Sequence, residues 1–238
     1  MRLSLLTAFV AYASVAALAQ PARAADMTFS TLSYGSSRQC VDDCPRIMQA
    51  SGQITASTPQ ALIDFARREV ARPGLINVLL IHSPGGSVNA SIAMGRVLRK
   101  MGTTVIVARA MDIRELPTAT IGRREPGVAE NLRFVSGTCA SACVYALAGG
   151  LKRVVPQESR IAVHRMAGNI ANFDPATREF QQRQIYAGET ELNALTAYIY
   201  EMGISTDLVD MAESVPHENA RILSNREIRA LRLGQPKL

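Results

Sequence analysis

Between residues 76 and 81 the chain runs Ile-Asn-Val-Leu-Leu-Ile, β-branched and leucine side chains broken only by Asn77. That run predicts a strand buried on both faces. It stops at Ser83-Pro84-Gly85-Gly86, which cannot continue a strand, and from Ser87 the apolar positions Val88, Ile92, Val97, Leu98 and Met101 fall at helical spacing. Gly102 closes this helix, and residues 103–108 form the next buried strand. Upstream, Ser57-Thr58-Pro59 is a helix beginning with a hydroxyl cap and a proline in the first turn. That helix runs to about Arg72 and ends at Pro73-Gly74. Strand, helix and strand in succession place the chain in the α/β class. A short extended start at 27–32 and a loop bounded by Cys40 and Cys44 precede these elements.

From about 109 to 131 the pattern dissolves into mixed charge punctuated by Pro117, Gly122, Pro126 and Gly127. A structureless stretch of this length is uncommon in a compact domain without a functional reason, so it reads as an insertion or flap. Order returns at 132–135, then a Gly-Thr-Cys turn, then a helix of small residues over 141–148 that Gly149-Gly150 ends. Short strands follow at 153–155 and 160–164. Residues 175–202 read as the longest helix, with Leu192, Leu195, Ile199 and Met202 on one stripe that serves core or oligomer packing. Helices at 207–214 and 224–231 close the chain. No internal repeat or low-complexity linker divides it, so a single domain is expected.

The first 24 residues change the compartment. Arg2 is followed by an almost unbroken apolar run over 3–18 and by Ala22-Arg23-Ala24, the three-part layout of a secretory signal with cleavage expected after Ala24. The run is too short to span a bilayer, and no later segment is long and apolar enough, so no membrane span is expected after cleavage. The segments are then the signal at 1–24, an N-terminal piece with the cysteine loop at 25–56, and the domain proper at 57–238. Removing 24 residues from 238 leaves 214, enough to bury a core without metal. The net charge of +6 drops to +4 once Arg2 and Arg23 are gone. The basic residues are dispersed and tryptophan is absent, which argues against nucleic-acid binding. Four cysteines form two pairs of one spacing, Cys40/Cys44 and Cys139/Cys143. In a periplasmic or secreted chain they are disulfide candidates, either closing locally or stapling the N-terminal segment to the Cys139 region. A four-thiolate zinc site is the less favoured alternative.

Three features carry candidate chemistry. Ser141 lies in Gly137-Thr138-Cys139-Ala140-Ser141-Ala142-Cys143 at the start of a predicted helix, where small neighbours allow a sharp turn and free N–H groups can meet a developing oxyanion. His164 ends the apolar strand Ile161-Ala162-Val163-His164, and Gly85-Gly86 permits close backbone approach. In this order and spacing the features resemble the Clp protease proteolytic subunit family within the crotonase superfamily, and more closely its exported bacterial relatives. The matching pieces are Ile81-His82-Ser83-Pro84-Gly85-Gly86-Ser87, Cys139-Ala140-Ser141-Ala142-Cys143 with Gly149-Gly150, Ile161-Ala162-Val163-His164, and the closing Arg221-Ile222-Leu223-Ser224 with Glu227 and Gly234. The resemblance implies a Clp/crotonase-like fold of stacked β-β-α units. It makes Ser141 the nucleophile, His164 its general base, and the N–H groups of Gly86 and Ala142 the oxyanion hole. No cofactor or metal is implied. A peptide or unfolded protein is the implied substrate, and a homo-oligomer the implied assembly.

The chain departs from that pattern in three places. The stretch between Gly86 and Ser141 is longer, which puts the 109–131 insertion near the site mouth. His82 replaces the usual asparagine before Ser-Pro-Gly-Gly, with a structural role expected. Ala220 stands where the family's acid falls, leaving Glu218, Asn219 or Glu213 as possible third members. The expectation is an exported, ATP-independent serine hydrolase, most simply a peptidase with a Ser-His dyad or weakened triad. The alternative is a non-catalytic module of the same fold that holds extended peptides.

Overall fold

A computed structural model of the chain describes residues 25–33, 45–112 and 132–235. The Cys40/Cys44 loop, the leader and most of the insertion lie outside the described residues. The elements run β1 (Thr28–Ser33), β2 (Arg46–Ser51), α1 (Thr58–Val70), β3 (Leu75–His82), α2 (Val88–Met101), β4 (Thr104–Asp112), β5 (Leu132–Ser136), β6 (Thr138–Ala140), α3 (Cys143–Ala148), β7 (Lys152–Val154), β8 (Arg160–Val163), β9 (Ala167–Asp174), β10 (Glu179–Tyr186), α4 (Glu189–Glu201), α5 (Asp207–Glu213), β11 (Arg221–Ile222) and α6 (Asn225–Ala230). The class is α/β.

The main sheet has the order β1-β2-β3-β4-β5, with β7 also on β4. Strands β2, β3, β4 and β7 run parallel, while β1 and β5 join antiparallel at the edges. Helices α1 and α2 are the crossovers that parallel pairing requires. Alternation decides which face each side chain serves. Leu79, Ile81, Val105 and Val107 enter the main core with Leu62, Leu98, Leu147 and Leu195. Leu80, Ile106 and Ala108 build a smaller cluster on the opposite face with Ile47. Only the second half of β3 is buried on both faces, and Ile76 and Asn77 are exposed.

A second sheet of order β11-β8-β6 has β6 and β8 parallel. It joins the first through a bridge between Ser83 and Cys139. Polar links tie the layers. The Tyr198 hydroxyl of α4 donates to Tyr145 O of α3 at 2.7 Å, and burial pushes both phenols' pKa up. Arg46 at the start of β2 pairs with Glu69 near the end of α1 inside the protein; removing either partner would leave a buried charge, which costs about 3–5 kcal/mol.

The structure corrects four expectations. Residues 175–202 are not one helix: 167–186 form the β9–β10 hairpin, and α4 starts at Glu189. Asp174 Oδ1 accepts from the Ala176 N–H at 2.8 Å, so Asp174-Pro175 opens a turn rather than a helix. The insertion begins later than residue 109, because β4 continues to Asp112 and pairs with β5 back to Leu132. Strand β2 was missed, its signal obscured by the polar positions Arg46 and Gln49. Ser57 makes no side-chain cap; instead the Thr58 hydroxyl accepts from the Thr55 N–H at 2.9 Å.

Candidate active site

Ser141 does not belong to a helix. It occupies the apex between β6 and α3 with φ 53°, a left-handed conformation that costs a non-glycine residue about 1–2 kcal/mol. The conformation is held from both sides. The Ser141 N–H donates to Ala162 O of β8 at 2.8 Å, and Ser141 O accepts from the Val144 N–H at 3.0 Å. A disulfide joins Cys139 to Cys143 across the turn, with Cα atoms 5.2 Å apart. This is the local pairing among those the spacing left open for these two cysteines.

The Ser83-Pro84-Gly85-Gly86 turn packs onto that apex. The Ser83 N–H donates to Thr138 O at 2.8 Å, and Ser83 O accepts from the Ala140 N–H at 3.0 Å. A Cβ on Gly85 would stand 2.8 Å from Ser141 Cβ and 3.1 Å from Ala142 N, and one on Gly86 would meet Ile54 O at 2.0 Å. With φ of 108° and 137°, these two positions admit only glycine. The N–H groups of Gly86 and Ala142 therefore lie on the two segments pressed together at Ser141. Neither donates a hydrogen bond among the described residues.

His164 leaves the end of β8 two residues past Ala162, half-buried. Its Nδ1 lies 2.9 Å from Arg165 O, so Nδ1 carries the hydrogen and Nε2 has the free lone pair. Ser141 Oγ and His164 Nε2 are not hydrogen-bonded to one another in this structure. The same carbonyl takes a second imidazole: His217 Nδ1 is 3.2 Å from Arg165 O, and the two rings meet edge to face with centroids 4.6 Å apart. No sequence signal marked His217, which lies on the loop between α5 and β11.

The possible third members occupy other places. Glu218 and Asn219 are exposed, and neither side chain bonds to His164 among the described residues. Glu213 acts one step removed. Its Oε1 accepts from the Met166 N–H at 2.9 Å, its main-chain O accepts from Arg165 Nε at 3.0 Å, and its Oε2 pairs with Arg165 Nε at 3.5 Å. The carboxylate thus fixes the segment whose carbonyl orients His164. His82 points elsewhere: its Nδ1 accepts from the Thr138 N–H at 3.0 Å and ties β6 to β3. Among the described residues, no cluster of three His, Cys, Asp or Glu is arranged to hold a metal, and no helix is long and apolar enough to cross a membrane.

No protein-family model matches the sequence, and no curated protein matches it either. Solved structures do. A mutant of a membrane-bound stomatin-specific protease superposes with TM-score 0.47 at 14% identity, over 80% of this chain and 78% of that one. Another mutant of that protease, in complex with a substrate peptide, superposes with TM-score 0.44 at 16% identity, over 80% of this chain and 74% of that one.

Proposed function

We propose that the chain is an exported serine hydrolase, a peptidase that works through an acyl-enzyme at Ser141. One observation carries the reading: a serine held at φ 53° on a strand-to-helix apex, beside two backbone N–H groups without partners. Strained non-glycine conformations persist where the surroundings over-determine them, and they cluster at sites of function. Free donors aimed at one place are what an oxyanion needs.

In this reading Ser141 Oγ attacks the scissile carbonyl while His164 Nε2 takes its proton. The carbonyl oxygen becomes an oxyanion between the N–H groups of Gly86 and Ala142. The imidazolium returns the proton to the leaving amine as the C–N bond breaks, and water, activated by the same Nε2, hydrolyses the ester. Arg165 O stands where a triad's acid would be. It fixes the tautomer without neutralising the imidazolium, so a slower enzyme than a full triad is expected. Nothing in the scheme calls for ATP or a metal. The leader places the reaction in the periplasm or outside the cell. The β9–β10 hairpin, with Phe173 and Phe180 exposed, is the surface through which copies assemble.

A second reading is favoured by the missing Ser141–His164 hydrogen bond: a non-catalytic module holding extended peptides over the same turn. A fluorophosphonate probe separates the two. Covalent labelling that maps to Ser141 and disappears in Ser141→Ala supports the hydrolase. Absent labelling, or labelling that survives the substitution, leaves the module.

A further inference from the structure

At the carboxyl ends of β2 and β3, beside the 83–86 turn, lies a hollow of about 470 Å3 lined by Ser51, Gly52, His82, Pro84, Arg109 and Thr138. Ligands of α/β sheets gather at such strand ends. The lining offers hydrogen-bond donors and no carboxylate. Arg109 brings a guanidinium, charged at any pH the protein meets. Its Nε is closed off from solvent without a hydrogen-bond partner, and among the described residues Arg109 makes no hydrogen bond or ion pair. Because His82 Nδ1 accepts from the Thr138 N–H, its ring hydrogen sits on Nε2. Burial, and then the charge of Arg109, lowers the pKa of this imidazole, so it serves as a neutral donor. Ser51 and Thr138 add hydroxyl-bearing side chains.

A buried charge without a partner is costly, and an acceptor that pairs with it relieves the cost. A planar two-oxygen anion fits the guanidinium fork. One guanidinium beside a neutral imidazole balances a single negative charge, which suits a carboxylate better than a phosphate dianion. The volume falls in the range of organic ligand pockets and far exceeds the roughly 30 Å3 share of one water, so the occupant brings more than its anionic group.

We propose that this hollow is a binding site for a carboxylate carried by a peptide that lies along the 83–86 turn. Pro84 lines the hollow, and the next residue, Gly85, touches Ser141. A peptide anchored at Arg109 therefore passes one residue of turn before it reaches the nucleophile. The source of the carboxylate rests on the peptidase reading; the site itself does not.

The test uses the full-length processed protein carrying Ser141→Ala, which binds without turnover, and fluorescence anisotropy of labelled peptides. The peptides come in pairs: free C-terminal acid against amide, and internal Glu against Gln. One member bearing the carboxylate should bind about ten-fold tighter or more than its neutral partner, as one charge-assisted pair predicts. Arg109→Gln should erase that preference. Ser51→Asp, which lodges a carboxylate of its own beside Arg109, should erase it too, so the outcome does not hang on one variant folding. Equal binding of both members of each pair, or a preference that survives both substitutions, overturns the site. Saturation by acetate with no preference among the peptides assigns the hollow to a free ion and overturns the peptide source. Failure of Ser141 to label in the unsubstituted protein would sink the hydrolase alone, because this binding is read without the nucleophile.

Discussion

His82 shows how one ring changes the acid limb of stability. In the fold its pKa lies below the ordinary value of 6.5, first through burial and then through Arg109. The folded state therefore binds fewer protons than the unfolded chain between the lowered value and 6.5. The contribution of the neutral ring is whole above 6.5 and is lost as pH falls through that window. Denaturant midpoints measured downward from neutrality should drop for the parent protein, and drop less for His82→Gln, whose amide oxygen still accepts from the Thr138 N–H. Equal slopes would remove His82 from the account. At this scale the sequence was most legible where chemistry is local: Ser141, Gly86 and Ala142 are brought together by turns written in adjacent residues. The partner of His164 was not legible. The search along the chain was for a carboxylate near Ala220, whereas the imidazole meets a main-chain carbonyl, which every residue has and no sequence pattern marks. His217 shares that carbonyl only because the loop after α5 folds back 53 residues later in the chain than His164.

Among the elements, α3 and its disulfide define the nucleophile turn. The Cys139–Cys143 bridge closes a ring of five residues, and chain-entropy arguments assign such a ring about 2 kcal/mol. Cys139→Ser with Cys143→Ser should lose roughly that much stability by denaturant melt, and should label more slowly with the fluorophosphonate probe, since the bridge restrains the apex. Unchanged labelling would mean that the hydrogen bonds to Ala162 O and from the Val144 N–H hold Ser141 unaided. The β-α-β succession from β3 to β4 was readable because buried parallel strands are nearly continuous apolar runs. The β9–β10 hairpin was not. Its strands lie off the core with mostly polar side chains, so no period-2 burial pattern marks them, and Pro175 fits a helix start as well as a turn. The Asp174 side chain, bonded to the Ala176 N–H, decides for the turn.

For the whole molecule, that hairpin is the feature which the core leaves unexplained. Phe180 is 73% and Phe173 54% exposed, and their rings lie 5.4 Å apart. An aromatic pair in water is a cost that association would remove. Sedimentation velocity of the processed protein should report a multiple of the chain mass, falling to one chain in Phe173→Ser with Phe180→Ser. A monomer before substitution would return the hairpin to another role. The single-domain α/β plan was legible from alternating strands and helices. Its assembly was not, because the surface concerned was read as part of a helix.

The left-handed backbone at Ser141 has a consequence for how this protein can change over time. Glycine would relax that dihedral and steady the fold, and it would delete the only hydroxyl at the apex. Durability and reactivity therefore pull in opposite directions at a single codon, and whichever residue a lineage keeps there records which of the two it was selected for.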